Sequence, residues 1–326
     1  MSRRCFCNAR YQEIAVRVEE EIARFTPVQD TLLTIGVFDG VHLGHQFLLS
    51  ELVSRARERK LLAGVVTFRQ HPRDYFMPQN KLHFLMTLAE RERVLRQVGI
   101  DIIASLSFNA EMAELTAAQF LGLLQKYLRM RGLVIGPDTA VGKNREGTVA
   151  VVQNLGREMG FGVTVVAPKQ ISGETVSSTI IRQAIADGDI AKVTRLLGRP
   201  FSLHGEVTGG DHRGTGMGFP TANIIPGSRQ ALPPDGVYVT WAHVGHKRYP
   251  SVTNIGLRPT FGNNNQRTIE VFILDYDHDI YGKPLRIELI ERLRGEQRFD
   301  NSEALKKQIE EDVQRGREIL GAAGSK

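Results

Sequence analysis

The sequence predicts an α/β protein in which a mostly parallel sheet precedes a small antiparallel β-barrel and a C-terminal helix. Over residues 31–182, short apolar runs alternate with longer amphipathic patterns, which is typical of strand–helix–strand crossovers in a parallel sheet. After residue 199, short strand patterns follow one another between Gly, Pro and Asn clusters, which indicates an antiparallel barrel. The chain of 326 residues is long enough for two domains, predicted at residues 1–186 and 200–326 with a linker at 187–199.

Each element is assigned from its apolar pattern. The predicted strands of the first half are residues 31–37, 62–68, 100–107, 133–136 and 162–167. The helices between them are residues 43–60, 89–98, 117–128, 149–159 and a helix from Ser178. The predicted barrel strands are residues 201–208, 236–244, 248–254, 269–276 and 284–292. The tail is predicted as a helix that begins at a capping box over residues 300–303 and carries an apolar stripe of Leu305, Ile309, Val313 and Leu320.

The composition excludes several classes of protein. Hydrophobic residues make up 41% of the chain and charged residues 24%, so the chain is neither disordered nor of low complexity. No window reaches about 18 uninterrupted apolar residues, and residues 1–10 lack the apolar core of a secretory signal. Cys5 and Cys7 are too close together for an ordinary disulfide and too few for a structural zinc site. We therefore expect a cytoplasmic protein with no membrane partner.

The charge balance bears on the kind of partner. Lys and Arg number 42 against 36 Asp and Glu, which gives a net charge of +6. Residues 1–182 carry most of the excess, but their basic side chains are interspersed with acidic ones and form no long run. The resulting modest positive field suits small phosphorylated ligands at least as well as it suits nucleic acid.

A glycine-rich stretch with two histidines, residues 36–45, follows the first predicted strand and opens the first helix. His42 and His45 are three residues apart, so both imidazoles project to one side of the helix start, beside backbone N–H groups and the positive end of the helix dipole. Gly44 lets a nucleotide approach the backbone closely. The stretch predicts a triphosphate site that stabilises charge on an α-phosphate. Its expected ATP-binding and catalytic residues are Gly36, Phe38, Asp39, Gly40, His42, Gly44 and His45.

Two other interpretations of the histidines compete with this one. They could be polar side chains that merely begin a helix. A zinc site is less favoured, because no third ligand stands at metal-binding spacing.

A second candidate phosphate site lies at residues 176–182, which read Val-Ser-Ser-Thr-Ile-Ile-Arg. Ser178 or Thr179 can cap a helix there, and hydroxyls with a guanidinium at a helix start bind phosphate. The predicted ligands are Ser177, Ser178, Thr179 and Arg182. Alone, this pattern is a common helix N-cap. Together with the histidine stretch, a phosphate-binding role is favoured over a plain cap.

The second half contains a glycine-rich stretch, residues 209–223, which is long for a structural turn and is expected to be a ligand flap. Gly214 and Gly218 are predicted to wrap phosphates. Thr221 and Asn223 offer oxygens on one face of an extended segment, which fits Mg²⁺ held mainly by nucleotide phosphates. The competing interpretation is a plain turn that contains a proline.

Glu270 is the candidate general base of the second half. In a strand it shares a face with Phe272 and Leu274, so it is expected to be a carboxylate on an otherwise apolar side. A buried acid with a raised pKa could take a proton from a hydroxyl. A solvated glutamate on an edge strand is the alternative.

These motifs together resemble the bacterial bifunctional riboflavin kinase/FMN adenylyltransferase family, the FAD synthetases. The resemblance extends from about residue 31 to the C-terminus and rests on residues 36–45, 177–182, 218–223, 254–261 and 270–275. It implies a nucleotidylyltransferase domain followed by a six-stranded riboflavin kinase barrel. It also implies that His42 and His45 stabilise adenylyl transfer and that Glu270 takes the proton of the riboflavin 5′-hydroxyl. The implied ATP ligands are Ser177, Ser178, Thr179 and Arg182. The implied magnesium ligands are Thr221 and Asn223. The implied flavin ligands are Asp138, Arg294 and Phe299.

Residues 136–142 depart from the family pattern. Family members carry two aromatic residues here on the flavin side, whereas this chain keeps Asp138 but has Thr139 and Val141 in their places. A ring stack is worth roughly 0.5–1.5 kcal/mol beyond burial, so we expect FMN binding to be weaker by about tenfold to a hundredfold without loss of the chemistry.

The sequence therefore predicts two reactions that use ATP and Mg²⁺. The second domain converts riboflavin to FMN, and the first converts FMN to FAD with release of pyrophosphate. The expected partners are ATP, riboflavin and FMN, with no nucleic acid, and no oligomeric state is predicted. One alternative is a riboflavin kinase with a decayed first domain, and another is a non-catalytic flavin-binding or RNA-binding module.

Overall fold

A computed structural model of the chain describes residues 17–171, 173–209, 218–227, 229–257 and 267–324. Cys5, Cys7, Gly214 and motif residues 258–261 lie outside the described residues. The chain divides into two compact units. The first comprises the described residues up to Gly36 together with Leu52–Tyr75 and Asp101–Val165. The second comprises Val37–Glu51, Phe76–Ile100 and the described residues from Val166 onward.

The first unit contains a five-stranded parallel sheet. Its strands are β1 Thr31–Ile35, β2 Leu62–Phe68, β3 Ile102–Leu106, β4 Met130–Ile135 and β5 Gly162–Val165. Their order in the sheet is β3-β2-β1-β4-β5. β1 and β2 are buried along almost their whole length, as apolar strands of a parallel sheet are. The predicted parallel sheet is confirmed, although β4 begins at Met130 rather than at Leu133.

Helices alternate with these strands along the chain. They are α1 Val18–Ala23, α2 Leu43–Glu58, α3 Pro72–Phe76, α4 Leu88–Val98, α5 Ala110–Glu114, α6 Ala117–Tyr127, α7 Val149–Met159, α8 Ser178–Ala186 and α9 Ile190–Leu197. Five of them, α2, α4, α6, α7 and α8, correspond to predicted helices. The others have only five to eight residues, although α9 carries an apolar face of Ile190, Val193 and Leu197 that was not used in the prediction. α9 lies within the segment predicted as a linker, residues 187–199.

Local signals explain where several helices begin and end. Thr87 and Thr116 cap α4 and α6, and Thr116 forms a reciprocal capping box with Gln119. Left-handed Gly99 and Gly160 end α4 and α7. A two-stranded hairpin, β6 Gln170–Ile171 with β7 Glu174–Thr175, precedes α8.

The second unit contains a closed barrel of six antiparallel strands. They are β8 Phe201–Thr208, β9 Ala222–Ile224, β10 Gly236–Val244, β11 Lys247–Leu257, β12 Arg267–Ile273 and β13 Pro284–Arg294. The order around the barrel is β10-β11-β12-β9-β8-β13, and β13 closes onto β10. The predicted barrel is confirmed. Its pattern alone did not indicate β9, because three residues are too few to show alternation.

One apolar core fills the second unit. Leu203, Ile255 and Ile287 of the barrel belong to it, together with Ile181 of α8 and Val193 of α9. All five side chains are almost completely buried, and burying a side chain of this size contributes about 1.5–3 kcal/mol. α8 and α9 are therefore stabilised by the same core as the barrel strands.

The C-terminal helix, α10, spans Ser302–Gly324. The side chain of Asn301 accepts a hydrogen bond from the Ala304 N–H at 2.8 Å, so Asn301 is the cap and the predicted box at residues 300–303 is shifted by one position. Asp312 of α10 pairs with Arg294 of β13 at 2.7 Å, which ties the helix to the barrel. In the described part of the chain, neither α10 nor any other helix is long and apolar enough to cross a membrane.

Candidate active sites

Residues 37–41 connect β1 to the start of α2, and we call them the histidine loop. Three of them have left-handed backbone: Phe38 at φ 52°, Gly40 at φ 83° and Val41 at φ 37°. This conformation costs a non-glycine residue roughly 1–3 kcal/mol, so Phe38 and Val41 are strained, as residues at functional sites often are. A Cβ atom added at Gly40 would lie 2.7 Å from Leu85 Cδ1, so both space and backbone angle favour glycine.

The carbonyl oxygens of the histidine loop hold it in place. Each accepts a hydrogen bond. The Val37 carbonyl accepts from Arg91 at 2.6 Å, that of Phe38 from the Val41 N–H at 3.1 Å, and that of Asp39 from Ser178 Oγ at 2.9 Å. The Gly40 carbonyl accepts from Arg199 at 2.6 Å, and that of Val41 accepts from both Gln46 at 2.8 Å and Arg199 at 3.1 Å. Sequence reasoning identified Ser178 but not Arg91, Gln46 or Arg199. Arg91 and Arg199 lie 54 and 159 residues from the loop carbonyls of Val37 and Gly40, and Gln46 lies just beyond the quoted motif, so no motif marks the three.

Gly36, the residue before the loop, was predicted as an ATP ligand. Its N–H donates to the carbonyl of Val66 at 3.0 Å, so the contact that the structure gives it is with a neighbouring strand. Its contact with ATP stays a prediction.

His42 and His45 lie together at the start of α2, as their spacing predicts. Their rings are stacked, with centroids 3.6 Å apart and an angle of 17° between the planes. Phe38 meets the His45 ring edge-on at a centroid distance of 5.1 Å. A Cβ atom at Gly44 would lie 3.2 Å from the His42 ring, so the glycine allows the pair to lie against the backbone.

The hydrogen bonding of His42 determines which ring nitrogen carries its proton. Nδ1 accepts the His45 N–H at 3.2 Å, so the neutral ring carries its proton on Nε2. Burial, together with the charges of Arg199 and Arg182, lowers the pKa of His42 to about 4. Burial and the adjacent His42 lower the pKa of His45 well below its usual range. Near neutral pH, His42 is therefore an uncharged Nε2–H donor and not a general base.

Asp39 and Arg182 form an ion pair that braces the histidine loop. Asp39 is 2% exposed, and its carboxylate also accepts the Leu85 N–H at 2.9 Å. Arg182 donates from Nε to the carbonyl of His83 at 2.8 Å. Burial raises the pKa of Asp39, while the charge of Arg182 opposes that rise. Both residues thus have protein partners, and their predicted contacts with ATP stay predictions.

The start of α8 faces the histidine loop. Ser177 is its N-cap and accepts the Ile180 N–H at 3.3 Å, so the prediction that Ser178 or Thr179 caps this helix is wrong. Ser178 instead donates to the carbonyl of Asp39 at 2.9 Å. Thr179 is exposed. The two motifs, each predicted to bind nucleotide phosphates, are therefore in direct contact through Ser178.

In the barrel, three polar residues lie side by side across β9, β12 and β11, and we call them the carboxylate row. The strand register pairs Asn223 with Glu270, and Glu270 with Asn254. Directly paired residues of antiparallel strands project to the same face, with Cβ atoms about 4.5–5.5 Å apart. The predicted base therefore lies beside a predicted magnesium ligand. Asn254 was part of a quoted motif, but no role was predicted for it.

The surroundings of Glu270 differ from those expected. The buried side chains of β12 are Ile269, Val271 and Ile273, whereas Glu270 is half-buried on the opposite face, so the expectation of a buried carboxylate is wrong. Leu274 lies beyond the end of β12 and does not extend this face.

Aromatic contacts lie next to the carboxylate row. Phe272 shares the strand face of Glu270, and Phe219 meets its ring edge-on at a centroid distance of 5.3 Å. Gly218, immediately before Phe219, has a left-handed φ of 87°. The contact places the segment that leads into Thr221 beside the face that carries Glu270.

The oxygen donors near the carboxylate row fit a magnesium site. Thr221 and Asn223 are half-buried and supply neutral oxygens, and Glu270 supplies a carboxylate. Among the residues that the structure describes, no three His, Cys, Asp or Glu side chains are grouped to hold a metal ion by themselves. Such a donor set suits a hard cation that takes most of its ligands from nucleotide phosphates.

The residues predicted to bind flavin lie in two places. Arg294 pairs with Asp312 and lies over the Phe299 ring, 5.8 Å from its centroid. Asp138 is exposed, and its main-chain carbonyl accepts a hydrogen bond from Arg145 at 3.4 Å. The structure thus brings Arg294 and Phe299 together and gives Arg294 a partner on α10. Flavin contact by all three residues stays a prediction.

The braced histidine loop and the carboxylate row define a two-site enzyme that transfers groups from nucleotides. The bifunctional riboflavin kinase/FMN adenylyltransferase of Escherichia coli (strain K12) is 40% identical over 297 residues, which cover 90% of this chain and 94% of that one. This chain belongs to the bifunctional riboflavin kinase/FMN adenylyltransferase family, as the motifs indicated.

Further comparisons agree with this assignment. Family models described as FAD synthetase and riboflavin kinase match residues 26–180 and 197–320. A relative of the same name from Pseudomonas fluorescens is 37% identical, over 88% of this chain and 92% of that one. Another from Bacillus subtilis (strain 168) is 34% identical, over 87% of this chain and 90% of that one. A crystal structure described as a macrolide-efflux protein from Streptococcus pneumoniae has a TM-score of 0.83 at 31% identity, over 90% of this chain and 96% of that one. This chain therefore contains both an FAD synthetase segment and a riboflavin kinase segment.

Proposed function

We propose that this chain phosphorylates riboflavin to FMN with ATP and then adenylylates FMN to FAD with a second ATP. The kinase reaction takes place on the barrel, in the domain predicted at residues 200–326, and the adenylylation in the domain predicted at residues 1–186. The stacked pair of His42 and His45 is the observation that best supports the proposal. Adenylylation is the activity that the loss of aromatic residues at positions 139 and 141 would weaken, and this pair is the part of its site that is present. A cytosolic location is part of the same proposal, since the chain has only two cysteines.

In adenylylation, an oxygen of the FMN phosphate attacks the α-phosphorus of ATP. The bond from that phosphorus to the bridging oxygen breaks, and pyrophosphate leaves with its electron pair. Negative charge increases on the α-phosphate oxygens during this step, and the Nε2–H of His42 donates a hydrogen bond to one of them. A neutral donor suits this role because it needs no proton transfer to the nucleotide.

In the kinase reaction, Glu270 accepts the proton of the riboflavin 5′-hydroxyl, whose oxygen attacks the γ-phosphorus of ATP while ADP leaves. Glu270 is half-buried, so its side chain remains accessible to a substrate hydroxyl. Thr221 and Asn223 would hold Mg²⁺ that arrives with the nucleotide, and that ion would supply neutralisation of phosphate charge. The pairing of Asn223 with Glu270 supports this arrangement, because a phosphoryl donor held at Asn223 would lie close to a hydroxyl held at Glu270.

One incubation tests the proposal. The full chain is mixed with riboflavin, ATP and Mg²⁺, and riboflavin, FMN and FAD are separated by chromatography over time. FMN should rise first, and FAD should follow with one pyrophosphate released for each FAD. Formation of FMN without FAD, even at high supplied FMN, would leave only the kinase and favour the alternative of a decayed first domain.

A further inference from the structure

Arg199 binds two adjacent carbonyls of the histidine loop. Its guanidinium donates to the carbonyl of Gly40 at 2.6 Å and to that of Val41 at 3.1 Å, and it also reaches the carbonyl of Leu197 at 3.3 Å. A planar guanidinium can hold several acceptors at once in a rigid geometry, which an ammonium cannot. Arg199 therefore sets the orientation of two successive peptide planes.

Those two peptide planes lead directly into His42. A trans peptide holds its C=O and N–H on opposite sides, and cis peptide bonds are absent from the described residues. When Arg199 holds the Val41 carbonyl, the His42 N–H must point away from Arg199. The Gly40 carbonyl, held in the same way, aligns the Val41 N–H with its acceptor on Phe38. Arg199 also keeps the carbonyl dipoles, which repel phosphate, turned toward the protein.

The position of Arg199 is itself tightly determined. The preceding residue, Gly198, ends α9 with a left-handed φ of 72°, and a Cβ atom there would lie 2.5 Å from Leu43 Cδ2. Phe201, two residues after Arg199, is buried at the start of β8. The side chain is therefore held between the end of a helix and the first strand of the barrel.

We propose that Arg199 is a positioning residue for adenylyl transfer: it holds the Gly40 and Val41 carbonyls so that the strained loop presents His42 to the α-phosphate. This inference rests on the proposed adenylylation at the histidine loop. Arg199 donates to main-chain carbonyls and has no direct role at the reacting atoms. Its loss should therefore slow the transfer step more than it weakens binding of FMN.

The test compares Arg199→Ala, Arg199→Lys and Arg195→Ala with the unchanged full-length chain. Arg195 is exposed in the last turn of α9, so Arg195→Ala is a matched control. For each protein, kcat and KM are measured for FAD formation from supplied FMN. Riboflavin phosphorylation is measured on the same samples.

Arg199→Ala should lower kcat for FAD formation by about 10–100-fold, since a misplacement of about 1 Å can cost this much. Its KM for FMN should change by less than about threefold, and its riboflavin kinase activity should match that of Arg195→Ala. Arg199→Lys should fall between Arg199→Ala and the unchanged chain, because one ammonium cannot hold both carbonyls.

Two outcomes would overturn the proposal. If Arg199→Ala forms FAD as fast as Arg195→Ala, the histidine loop does not need this anchor. If Arg199→Ala loses both activities equally, Arg199 acts through folding. Absence of FAD with the unchanged chain would instead refute the proposed function itself.

Discussion

The proton on His42 decides what the histidine pair can do. The spacing of the two histidines predicted that their rings lie together, because residues three apart on a helix share a face. It did not predict which nitrogen is protonated, because that depends on the hydrogen bond from the His45 N–H to Nδ1. Nor did it predict the charges of Arg199 and Arg182 near the ring. The closeness of the two rings can thus be predicted from sequence. The pKa of His42 cannot, because it also depends on Arg182 and Arg199, which are distant in the chain.

The low pKa of His42 predicts a pH-dependent loss of stability. The pKa is about 4 in the folded chain against 6.5 for an ordinary histidine, so the unfolded chain binds the proton first as the pH falls. The stabilisation is complete above pH 6.5 and is lost as the pH falls toward 4. By about pH 5 this loss should be about 2 kcal/mol. Urea unfolding at about pH 5 and at a pH above 6.5 measures this loss of unfolding free energy, with His42→Gln as the comparison.

The variant His42→Gln lacks the titrating ring and should lose less stability over the same pH range. Relative to the unchanged chain, His42→Gln should therefore have a more favourable unfolding free energy at the lower pH than at the higher pH. A difference that is independent of pH would show that His42 is not held neutral by burial.

Substitution of Glu270 should separate the two activities. Glu270→Gln keeps the shape of the side chain but removes the proton acceptor, so FMN formation should fall by roughly 10²–10⁴ while FAD formation from supplied FMN is unchanged. Glu291→Gln makes the same change at an exposed site on β13 and should leave both activities intact. Rates of FMN and FAD formation by chromatography give the answer. Equal loss of both activities in Glu270→Gln would assign the residue to folding.

At the level of elements, long periodic segments were predictable and short ones were not. β2 and α7 have the predicted ends, since their apolar patterns are long and their boundaries are marked by local signals. β9 has three residues, and its pairing with β12 and β8 defines it. α9 does carry local signals, because Asp189 caps it, left-handed Gly198 ends it and Val193 lies on its apolar face, but its segment was predicted as a linker.

Ion pairs join α10 to the barrel: Asp312 pairs with Arg294, and Arg317 pairs with Asp275. Asp312 and Arg294 are both largely buried, with side-chain exposures of 7% and 16%. Removing one partner of a buried pair leaves the other charge unpaired, so Asp312→Ala should lower the unfolding free energy by about 3–5 kcal/mol. Chemical denaturation measures the change. Glu311→Ala, which removes an exposed acid from the same helix, should cost less than about 0.5 kcal/mol, and a similar loss for both variants would contradict this account.

At the scale of the whole molecule, compact packing does not follow the order of the sequence. The second unit combines the histidine loop, residues 76–100 and the barrel. Within it, the main chain of Phe84 exchanges hydrogen bonds with Arg229 at 2.6 Å and Ala231 at 2.8 Å, beside the Leu85 N–H that binds Asp39. The motifs were predicted to lie in successive segments of the chain, because main-chain pairings such as that of Phe84 with Ala231 leave no pattern in the sequence.

A shortened chain should reveal this dependence. A chain that ends at residue 186 keeps both histidines and the start of α8 but lacks Arg199 and the barrel core that α8 shares. We expect it to form no measurable FAD and to expose apolar surface, detected by binding of a hydrophobic dye. The full-length Glu270→Gln variant is the control, since it keeps the barrel while its kinase activity is expected to be strongly reduced. Adenylylation by the shortened chain at the rate of the full chain would contradict the expectation.

The anchor at Arg199 also has a consequence in time. It lies 159 residues after Gly40, whose carbonyl it holds. A ribosome adds about 5–20 residues per second, so the histidine loop is made roughly 8–32 s before its anchor. During that interval nothing from Arg199 offsets the strain at Phe38 and Val41. A nascent chain interrupted before Arg199 therefore carries both histidines without the anchor that the proposed adenylylation requires.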